Sequence, residues 1–402
     1  MGDIQINRLQ DYWKTDELYN LPCFRNYMSR NRFLSILRCL HFSKNPERGD
    51  LGYGDRLSKI RWLQDFFNQR IDEIYYPNKD LSLDESMVLW RGRLFFRQYI
   101  KNKKHKYGVK LYILSEPNGL VLKVRIYTGD EKDMKGELGH SANVVISLVK
   151  KYFKNGHSLF MDSYYNSISL CKELLLRKNY VTGTLRQNRK GNPPEVTSKK
   201  LKKGEITLKY SNGIGVGKWR DKKEVLFIST EFDGELAGGQ NRRGEEKQKP
   251  NAIIQYNKNM SGIDRQDQML SYYASERKTT RWYKKIAIHF ISMMLLNSFH
   301  LYNTYSTKKK LNYYDFRHCI IKNLLSQAEN NPPEHSKAKP INQPNHMPEK
   351  YHLDGKGRQM RKRCRVCYEK KIRKNAPLFC PACPDQPGLC LGICFQMYHE
   401  EK

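Results

Sequence analysis

Residues 81–90, LSLDESMVLW, place two acids inside an apolar stretch whose length is typical of a buried β-strand. Asp84 and Glu85 lie at its centre. A buried carboxylate is costly unless a hydrogen-bonded partner or a metal ion compensates its charge. The stretch therefore predicts a strand in which Asp84 needs a compensating cation.

The segments after residue 90 predict an α/β core around this strand. Strand-like runs occur at 106–116, 120–130, 157–162 and 180–185, and helical runs occur at about 141–154 and at 167–179. The order is strand, strand, strand, helix, strand, helix, strand, which combines an antiparallel meander with a parallel crossover. In this order the first and fourth strands can be neighbours, which would bring Asp84 close to Asp162 at the end of the fourth.

A third acidic group is expected from GIDRQDQML, residues 262–270, where Asp264 and Asp267 share one face of a helix start. Converging carboxylates are hard oxygen ligands suited to Mg²⁺ or Mn²⁺. Two such ions can clamp the attacking and leaving oxygens of a phosphoryl transfer. The alternative is that Asp264 only caps the helix.

The charge balance points to a polyanionic partner. The 402 residues contain 73 Lys and Arg against 41 Asp and Glu, a formal net charge of +32. Nucleic acid is favoured over a merely basic surface, and over a membrane because no long amphipathic helix carries the excess. The longest apolar block, 286–302, contains His289, Asn297 and His300 and predicts a buried helix. GIGVGKW, residues 213–219, fails the P-loop pattern, so ATP is not an expected cofactor.

Residues 91–110 are basic, contain no acid and have aromatic residues interleaved. Lysine and arginine neutralise phosphates, and aromatic rings stack on unpaired bases. The alternative is a solvated hairpin whose rings pack inward, as one of Phe95 and Phe96 is expected to do. A second basic patch follows the third acidic group. The predicted DNA contacts of the two patches are Arg91, Arg93, Arg97, Lys101, Lys103, Lys104, Lys106, Arg277, Lys278 and Arg281.

The C-terminal residues predict a zinc domain. Their spacing is Cys364-x2-Cys367-x12-Cys380-x2-Cys383-x6-Cys390-x3-Cys394-x4-His399. Thiolate pairs at this spacing hold tetrahedral Zn²⁺, and the interleaved order suggests two ions in a cross-brace. One ligand position is left open. His352 is the candidate for it and Asp385 a weaker one, while a solvent-facing His352 without metal is the alternative. A domain this small with few large apolar residues needs metal to fold.

Basic residues crowd positions 351–375, which predicts DNA binding by the tail, with binding of chromatin tails as the alternative. RQMRKRCR, residues 358–365, is typical of a nuclear localisation run, so a nuclear location is expected.

Four ordered blocks and the tail resemble the piggyBac transposase family. LSLDESMVLWRGRLFFRQYIKNKKHKYGVKLY (81–112) looks like its first catalytic block, and RFLSILRCLHFSKN (32–45) matches the segment before it. MDSYYNSISLCKELL (161–175), followed by GTLRQNRKG (183–191), resembles the second block, and MSGIDRQDQMLSYYASERKTTRWYKK (260–285) the third. The resemblance implies an α/β fold with a ribonuclease H-like catalytic core, which an insertion domain interrupts and DNA-binding, dimerising helices flank.

On this resemblance the chain is expected to contain a helical region in two parts, a core in two parts, and three further segments. The helical DNA-binding and dimerisation region covers 1–78 and 275–328, the ribonuclease H-like core 79–188 and 251–274, the insertion domain 189–250, the linker 329–350 and the cross-brace zinc domain 351–402.

The resemblance also implies cut-and-paste transposition at TTAA targets, through hairpin intermediates, with Mg²⁺. The family's catalytic, metal-binding aspartates fall on Asp84, Asp162 and Asp264, and Asp267 matches an additional functional aspartate. Water attacks the transposon-end phosphate, the freed 3′ hydroxyl attacks the other strand, and the same site joins that hydroxyl to target DNA. Ser163 departs from the Asn that the family commonly has. The family usually begins with a long, often acidic region, so an N-terminal arm is expected to be missing here.

We therefore expect a nuclear DDD-type DNA transposase that acts as a homodimer on double-stranded DNA, with Mg²⁺ or Mn²⁺ in its core and two Zn²⁺ in its tail. The rival is a domesticated, catalytically silent protein that binds DNA or chromatin, against which the four intact aspartates argue. A ubiquitin ligase built on the tail is disfavoured, because the tail is too basic and polar to offer an apolar groove to a partner enzyme.

Overall fold

A computed structural model of the chain describes residues 2–50, 52–101, 103, 105–129, 138–240, 246–330, 346–355 and 357–400. The chain divides into two compact units, Met1–Asn323 and Leu324–Lys402. Lys104, one of the predicted DNA contacts, lies outside the described residues. Among the described helices, none is long and apolar enough to cross a membrane.

The first unit is mixed α/β. Its helices are α1 (Pro22–Tyr27), α2 (Arg30–Cys39), α3 (Arg61–Ile74), α4 (His140–Val149), α5 (Ile168–Leu176), α6 (Pro194–Thr197), α7 (Asn251–Asn259), α8 (Gly262–Tyr272), α9 (Trp282–Tyr305) and α10 (Tyr313–Asn330), which crosses into the second unit. Its strands are β1 (Asp80–Leu89), β2 (Gln98–Tyr99), β3 (Tyr107–Ser115), β4 (Val121–Ile126), β5 (Ser158–Met161), β6 (Tyr180–Thr184), β7 (Ile206–Ser211), β8 (Ile214–Arg220), β9 (Glu224–Ser229), β10 (Leu236–Gln240) and β11 (Glu246–Pro250). Short 3₁₀ turns cover Leu9–Trp13, Glu17–Tyr19 and Lys150–Tyr152.

A nine-stranded sheet forms the centre of this unit, in the order β2-β3-β1-β5-β6-β9-β8-β7, with β4 paired to β3. β1 is antiparallel to β3 and parallel to β5, and β5 is parallel to β6. The predicted sequence of strands and helices between residues 81 and 185 is confirmed, with the short β2 as an addition. The segment predicted as an insertion contributes β7 to β9, which extend the sheet antiparallel to β6, and the β10–β11 hairpin.

The central strands are buried because helices cover the sheet. All four residues of β5 are buried, and eight of the nine residues of β3 are. Central parallel strands with both faces covered are continuously apolar, which is what the SLFM sequence of β5 shows. Only a strong local reason keeps an acid at such a place, so Asp84 and Glu85 at the centre of β1 stand out structurally as well as in sequence.

Helices α3 and α9 hold the edge of the sheet through amide side chains. Gln64 and Asn68 of α3 accept hydrogen bonds from the backbone of β4, at 2.9 Å from Ile126 N and 2.8 Å from Val124 N. Asn297 of α9 accepts from Val121 N and donates to Val121 O, both at 2.8 Å. An open strand edge carries unpaired backbone groups, and here side chains satisfy them. Asn297, one of the polar residues in the apolar block 286–302, is therefore an anchor between α9 and the sheet.

The second unit contains small hairpins and two short helices. Its elements are β12 (Glu349–Lys350), β13 (Lys362–Arg363), α11 (Arg365–Glu369), β14 (Asn375–Ala376), β15 (Leu378–Phe379) and α12 (Ile393–Glu400). β12 pairs with β15 and β13 with β14. The buried cluster of this unit consists of four cysteines and four other residues, and the cysteines are Cys364, Cys367, Cys380 and Cys383. Such a core offers little apolar burial, so metal binding is expected to stabilise it.

We predict that Asn297→Ala destabilises the first unit. The substitution leaves the buried N–H and C=O of Val121 without partners, at a cost of about 2–4 kcal/mol in the free energy of unfolding. Denaturant titration of both variants checks this, with the neighbouring exposed Ser298→Ala as the control that should change stability by less than about 0.5 kcal/mol. Equal stability of the two variants would contradict the anchoring role.

Candidate active site and zinc centres

Asp84 and Asp162 lie side by side on neighbouring parallel strands, Asp84 in the middle of β1 and Asp162 just past the end of β5. In the parallel pairing of β1 with β5, Leu83 is opposite Met161. The next residue on each strand is an aspartate, so the register places Asp84 level with Asp162. Asp162 Oδ1 accepts a hydrogen bond of 2.8 Å from the backbone N–H of Tyr164, which fixes this carboxylate just past the strand. The predicted adjacency of the first and fourth strands is confirmed.

Helix α8 brings two further aspartates to the same end of the sheet. The helix begins at Gly262, where a Cβ atom would lie only 2.4 Å from Glu116 O and 2.6 Å from Ser115 Oγ. This close approach needs glycine and sets α8 directly against β3. Asp267 Oδ1 accepts a hydrogen bond of 2.6 Å from Ser86 Oγ of β1, two residues beyond Asp84.

Asp264 lies in the first turn of α8 and is exposed. The N-cap residue of this helix is Ser261, and its side chain makes no capping hydrogen bond. The alternative reading of Asp264 as the helix cap therefore does not describe this helix.

Burial leaves the carboxylates of the site short of positive charge. It raises the pKa of Asp84 to about 7, an effect that Lys103 opposes and that the nearby Glu85 and Asp162 strengthen. Burial likewise raises the pKa of Asp162 and the pKa of Asp267. Three buried acids with raised pKa values in one place are typical of a functional site.

Lys103, predicted as a DNA contact, points into this group of acids. Its Nζ lies 3.6 Å from Asp84 Oδ2 and donates a hydrogen bond of 2.7 Å to the backbone O of Glu85. Burial disfavours its charged form, but Asp84, Glu85 and the two acids of α8 outweigh burial and raise the pKa of the amine. Lys103 therefore serves as a partial counter-ion for the acids.

Glu85 faces a second buried lysine. Glu85 Oε2 lies 4.0 Å from Lys110 Nζ and accepts a hydrogen bond of 3.1 Å from Tyr165 OH. Lys110 also lies over the rings of Tyr112 and Tyr164, at 4.6 and 4.7 Å from their centroids. The sequence does not indicate that Tyr165 contacts Glu85, because its only distinguishing feature there is its position three residues after Asp162. The group supports β1 and the loop after β5 from behind the aspartates.

The aspartates suit a hard divalent cation. Mg²⁺ is usually held by one or two carboxylates, with waters and substrate phosphates completing its shell, so a fully closed protein cage is not required. The four aspartates do not form a compact set. Within the described ranges, groups of three or more His, Cys, Asp or Glu ligand atoms that lie within 4.8 Å of one another occur only in the second unit. Oxygen donors with uncompensated charge at the mouth of the sheet fit Mg²⁺ or Mn²⁺ better than a softer metal.

The remaining predicted DNA contacts that the structure describes are exposed, except for Arg277. Those exposed on the surface are Arg91, Arg93, Arg97, Lys101, Lys106, Lys278 and Arg281. Arg281 Nη1 lies 3.1 Å from His41 Nε2. Of the two phenylalanines, Phe96 is buried against Trp282, with ring centroids 5.2 Å apart, and Phe95 is exposed. The inward ring is therefore Phe96.

Arg277 is a correction to the predicted set, because the structure places it in the fold. Its guanidinium hydrogen-bonds to the hydroxyl of Tyr12 and to the backbone O of Ile6 at 3.4 Å. It thereby ties the N-terminal segment to the chain after α8. A DNA phosphate would have to compete with these contacts.

Two groups of four potential ligands form the candidate zinc centres of the second unit. The first contains Cys364, Cys367, Cys390 and Cys394, and the second contains His346, Cys380, Cys383 and His399. Cys367 Sγ lies 3.6 Å from Cys394 Sγ and 4.0 Å from Cys390 Sγ. A tetrahedral site with Zn–S bonds of 2.3 Å requires sulfur atoms about 3.8 Å apart, so the first group fits Zn²⁺. The two groups alternate along the chain, which confirms the predicted interleaved order.

The second zinc centre corrects the predicted eighth ligand. His346 Nδ1 lies 3.3 Å from Cys380 Sγ and 3.5 Å from Cys383 Sγ, and His399 Nε2 lies 3.4 Å from Cys383 Sγ. His352 is exposed and belongs to neither group, and Asp385 pairs with Arg365 at 3.1 Å instead. His399 Nδ1 lies 2.6 Å from Phe395 O, which leaves Nε2 facing the centre. His346 was missed because it lies within the stretch assigned to the linker.

Comparisons with known proteins place both units. Residues 1–299 match the protein family described as Transposase IS4, and residues 346–400 match a family described as DDE_Tnp_1-like zinc finger. The second match begins at His346, the ligand that the sequence did not reveal. Both matches agree with the division of the chain into two units.

Curated relatives and a solved structure add to these family matches. The human "PiggyBac transposable element-derived protein 3" is 26% identical over 349 residues, and the human "PiggyBac transposable element-derived protein 2" is 24% identical over 336 residues. The alignments cover 83% and 79% of this chain but only 58% and 56% of the relatives, so the chain spans little more than half of their length. A piggyBac transposase, solved by cryo-electron microscopy as a synaptic complex with hairpin DNA, shares the fold with a TM-score of 0.71. It is 23% identical, and the match covers 95% of this chain and 82% of the other.

We predict that Asp84→Asn stabilises the protein at pH 8 in the absence of added divalent ions. The pKa of Asp84 is higher in the folded state than the ordinary 3.8, so the carboxyl must ionise against burial as pH rises from about 4 to about 7. The cost is present above that window, on the order of 3 kcal/mol, and the neutral amide avoids it. Denaturant titrations between pH 4 and pH 8 measure the difference, which should shrink as pH falls. A difference that is absent at pH 8, or that grows towards acid, contradicts this assignment.

We predict that His346→Ala lowers the zinc content from two ions per chain to about one, because the second centre loses a direct ligand. The matched control is His352→Ala, which should keep both ions. Inductively coupled plasma mass spectrometry on the purified variants gives the two contents. Loss of zinc from His352→Ala with full content in His346→Ala would reverse the assignment.

Proposed function

The chain belongs to the piggyBac-like family of transposases, and from this premise we propose that it is a DNA transposase of the DDD type. The observation that carries the proposal is the level placement of Asp84, in the middle of β1, and Asp162, just past the end of β5, with the acids of α8 beside them. On this proposal the protein excises and integrates DNA at TTAA sites by metal-dependent phosphoryl transfer. The resemblance of its motifs to the family supports the TTAA target.

Asp84, Asp162 and Asp264 would hold Mg²⁺ or Mn²⁺, with Asp267 completing the acidic group. The bound ions supply the charge that activates a water or hydroxyl and stabilises the leaving oxygen. The chain's own residues position the donors. Ser86 orients Asp267, the N–H of Tyr164 orients Asp162, and Lys103 lowers the repulsion between the acids and offers a positive charge to a phosphate. Positioning of the reacting groups is a large part of catalysis in phosphoryl transfer.

Double-stranded DNA is the proposed substrate, as both transposon end and target. The exposed basic residues of 91–106 and those after α8 supply phosphate contacts near the acids. The solved relative with the same fold was captured with hairpin DNA, which supports this choice of partner. We propose further that the chain works as a homodimer, because the resemblance implies dimerising helices around the core, and that it acts in the nucleus, because residues 358–365 are typical of a nuclear localisation run.

The tail is proposed to bind DNA as well. Its two zinc centres hold short hairpins whose basic residues are exposed, among them Arg361, Lys362 and Arg363. Lys362 lies 5.0 Å from the ring centroid of Tyr351, and Arg363 lies 4.3 Å from that of Tyr368. Cations ordered on aromatic rings present a fixed positive surface to phosphates.

The second candidate function is a catalytically silent DNA- or chromatin-binding protein. The curated human relatives are named as proteins derived from transposable elements, which supports this candidate at the level of names. The raised pKa values of Asp84, Asp162 and Asp267 favour the enzyme, because buried acids without a ligand destabilise a fold that no longer needs them.

We predict metal-dependent cleavage of a plasmid that carries the element's flanking ends and TTAA sites. Asp162→Asn should lower the rate by more than the roughly 10- to 100-fold that loss of an outer-shell partner costs, because a direct ligand is removed. Asp65→Asn, the same change on the exposed face of α3, is the control and should cleave as the wild type does. Gel analysis of nicked products in Mg²⁺ and in Mn²⁺ gives the rates. DNA binding without cleavage in all three proteins would favour the silent binder.

A further inference from the structure

A cavity of about 300 Å³ opens beside the acids of the active site. Its lining includes Asp267 and its counter-ion Lys103, which belong to the candidate active site, and Glu276 and His289, which do not. It continues along β1 past Ser86 to Val88. The volume is at the lower end of what small-molecule sites in proteins enclose. The cavity is therefore large enough for one flat ring system, and it adjoins the acids.

Glu276 and His289 form a fixed pair in the wall of this cavity. His289 Nδ1 lies 2.8 Å from Glu276 Oε1, and the whole histidine is 7% exposed. An imidazole that donates from Nδ1 to a carboxylate has the lone pair of its neutral form on Nε2. The pair therefore orients one hydrogen-bond acceptor and holds the ring still.

Nε2 of His289 is buried and has no hydrogen-bond partner among the described residues. Buried polar atoms in native proteins almost always have a partner, so an unmatched one in a cavity wall indicates a ligand group that supplies it. The matching group is a hydrogen-bond donor. His289 plays no part in the mechanism proposed above, so the acceptor is not explained by the acids.

The other walls complete the chemistry of a nucleotide. Val88, Leu270 and Ala274 provide an apolar surface for a ring face. Lys103 and Lys285 place two cations in the same lining for a phosphate. Lys103 also lies 3.6 Å from Asp84 Oδ2, so a nucleotide in the cavity would neighbour the phosphate at the acids.

We infer that the cavity binds one unstacked nucleobase of the DNA substrate, a base that offers an exocyclic amino group to His289 Nε2. Adenine and cytosine carry such a group on their pairing edge, whereas thymine does not. The inference rests on the proposed function, because it takes the DNA strand at the acids as given. Enzymes that act on DNA often remove a nucleotide from the stack and read it in a pocket.

The test uses the full chain and duplexes of the element's ends, with 2-aminopurine placed beside each position in turn around the cleavage point, so that the tested base keeps its own amino group. Unstacking of the base that enters the cavity raises the 2-aminopurine fluorescence at one position. At that position, replacing adenine with purine, which lacks the amino group, should weaken binding by about 2- to 10-fold, the effect of one hydrogen bond.

Two variants and a matched control assign this effect to the cavity. His289→Leu should abolish the difference between adenine and purine. His300→Leu is the control, since His300 lies on the same helix, also has an unpartnered buried Nε2 and does not line the cavity, and it should keep the difference. Ala274→Phe fills the cavity from its rim and should suppress the fluorescence rise, which keeps the test decisive if His289→Leu unfolds.

The outcomes separate this inference from the proposed function. Metal-dependent cleavage with no position of raised fluorescence overturns the inference alone. So does a preference for adenine over purine that His289→Leu retains, or a fluorescence rise that Ala274→Phe retains. Absence of both DNA binding and cleavage in the wild type overturns the proposed function and the inference together.

Discussion

The parallel pairing of β1 with β5 is the constraint on which the site depends. It makes Asp84, in the middle of β1, a neighbour of Asp162, just past the end of β5, where water cannot fully solvate either carboxylate. The charge must then be met from outside the sheet. The molecule supplies Lys103 from the loop between β2 and β3, and α8 closes the site because Gly262 allows it to touch the backbone just past β3. The fold holds the acids in position even without a bound ligand.

The flanking helices secure this arrangement by hydrogen bonds instead of apolar contact alone. Amide side chains of α3 and α9 pair with the backbone of β4, and Arg277 ties the N-terminal segment to the chain after α8. The second unit uses a different principle. Half of the residues in its buried cluster are cysteines of the two ligand groups, so metal binding is expected to supplement a small apolar core. One chain thus contains hard oxygen ligands in one unit and soft sulfur ligands in the other, and each set selects its own metal.

The sequence predicted those features that follow from local pattern. The succession of strands and helices along 81–185 and the adjacency of the first and fourth strands were within reach because apolar runs and turn residues repeat there. The register that sets Asp84 level with Asp162 came from the structure. Cysteine spacing gave seven of the eight zinc ligands. The contacts of Lys103, Arg277 and Asn297 were out of reach, because their partners depend on loop paths and on packing between distant segments, 176 residues apart for Asn297 and Val121. The next ligand after His346 in the same centre is Cys380, and the first cysteine pair of the other centre lies between them. Spacing alone therefore did not favour His346 over His352.

On the proposed mechanism, the aspartates at β1, β5 and α8 form a divalent-cation site. Anomalous diffraction from crystals of the full chain grown with Mn²⁺ tests it most directly, since manganese and zinc are distinguished at their own absorption edges. We expect a manganese peak beside Asp84 and Asp162, with the ammonium of Lys103 moved away from Asp84, and zinc peaks at the two centres of the tail. Zinc peaks without manganese, with Lys103 still in contact with Asp84, would contradict it.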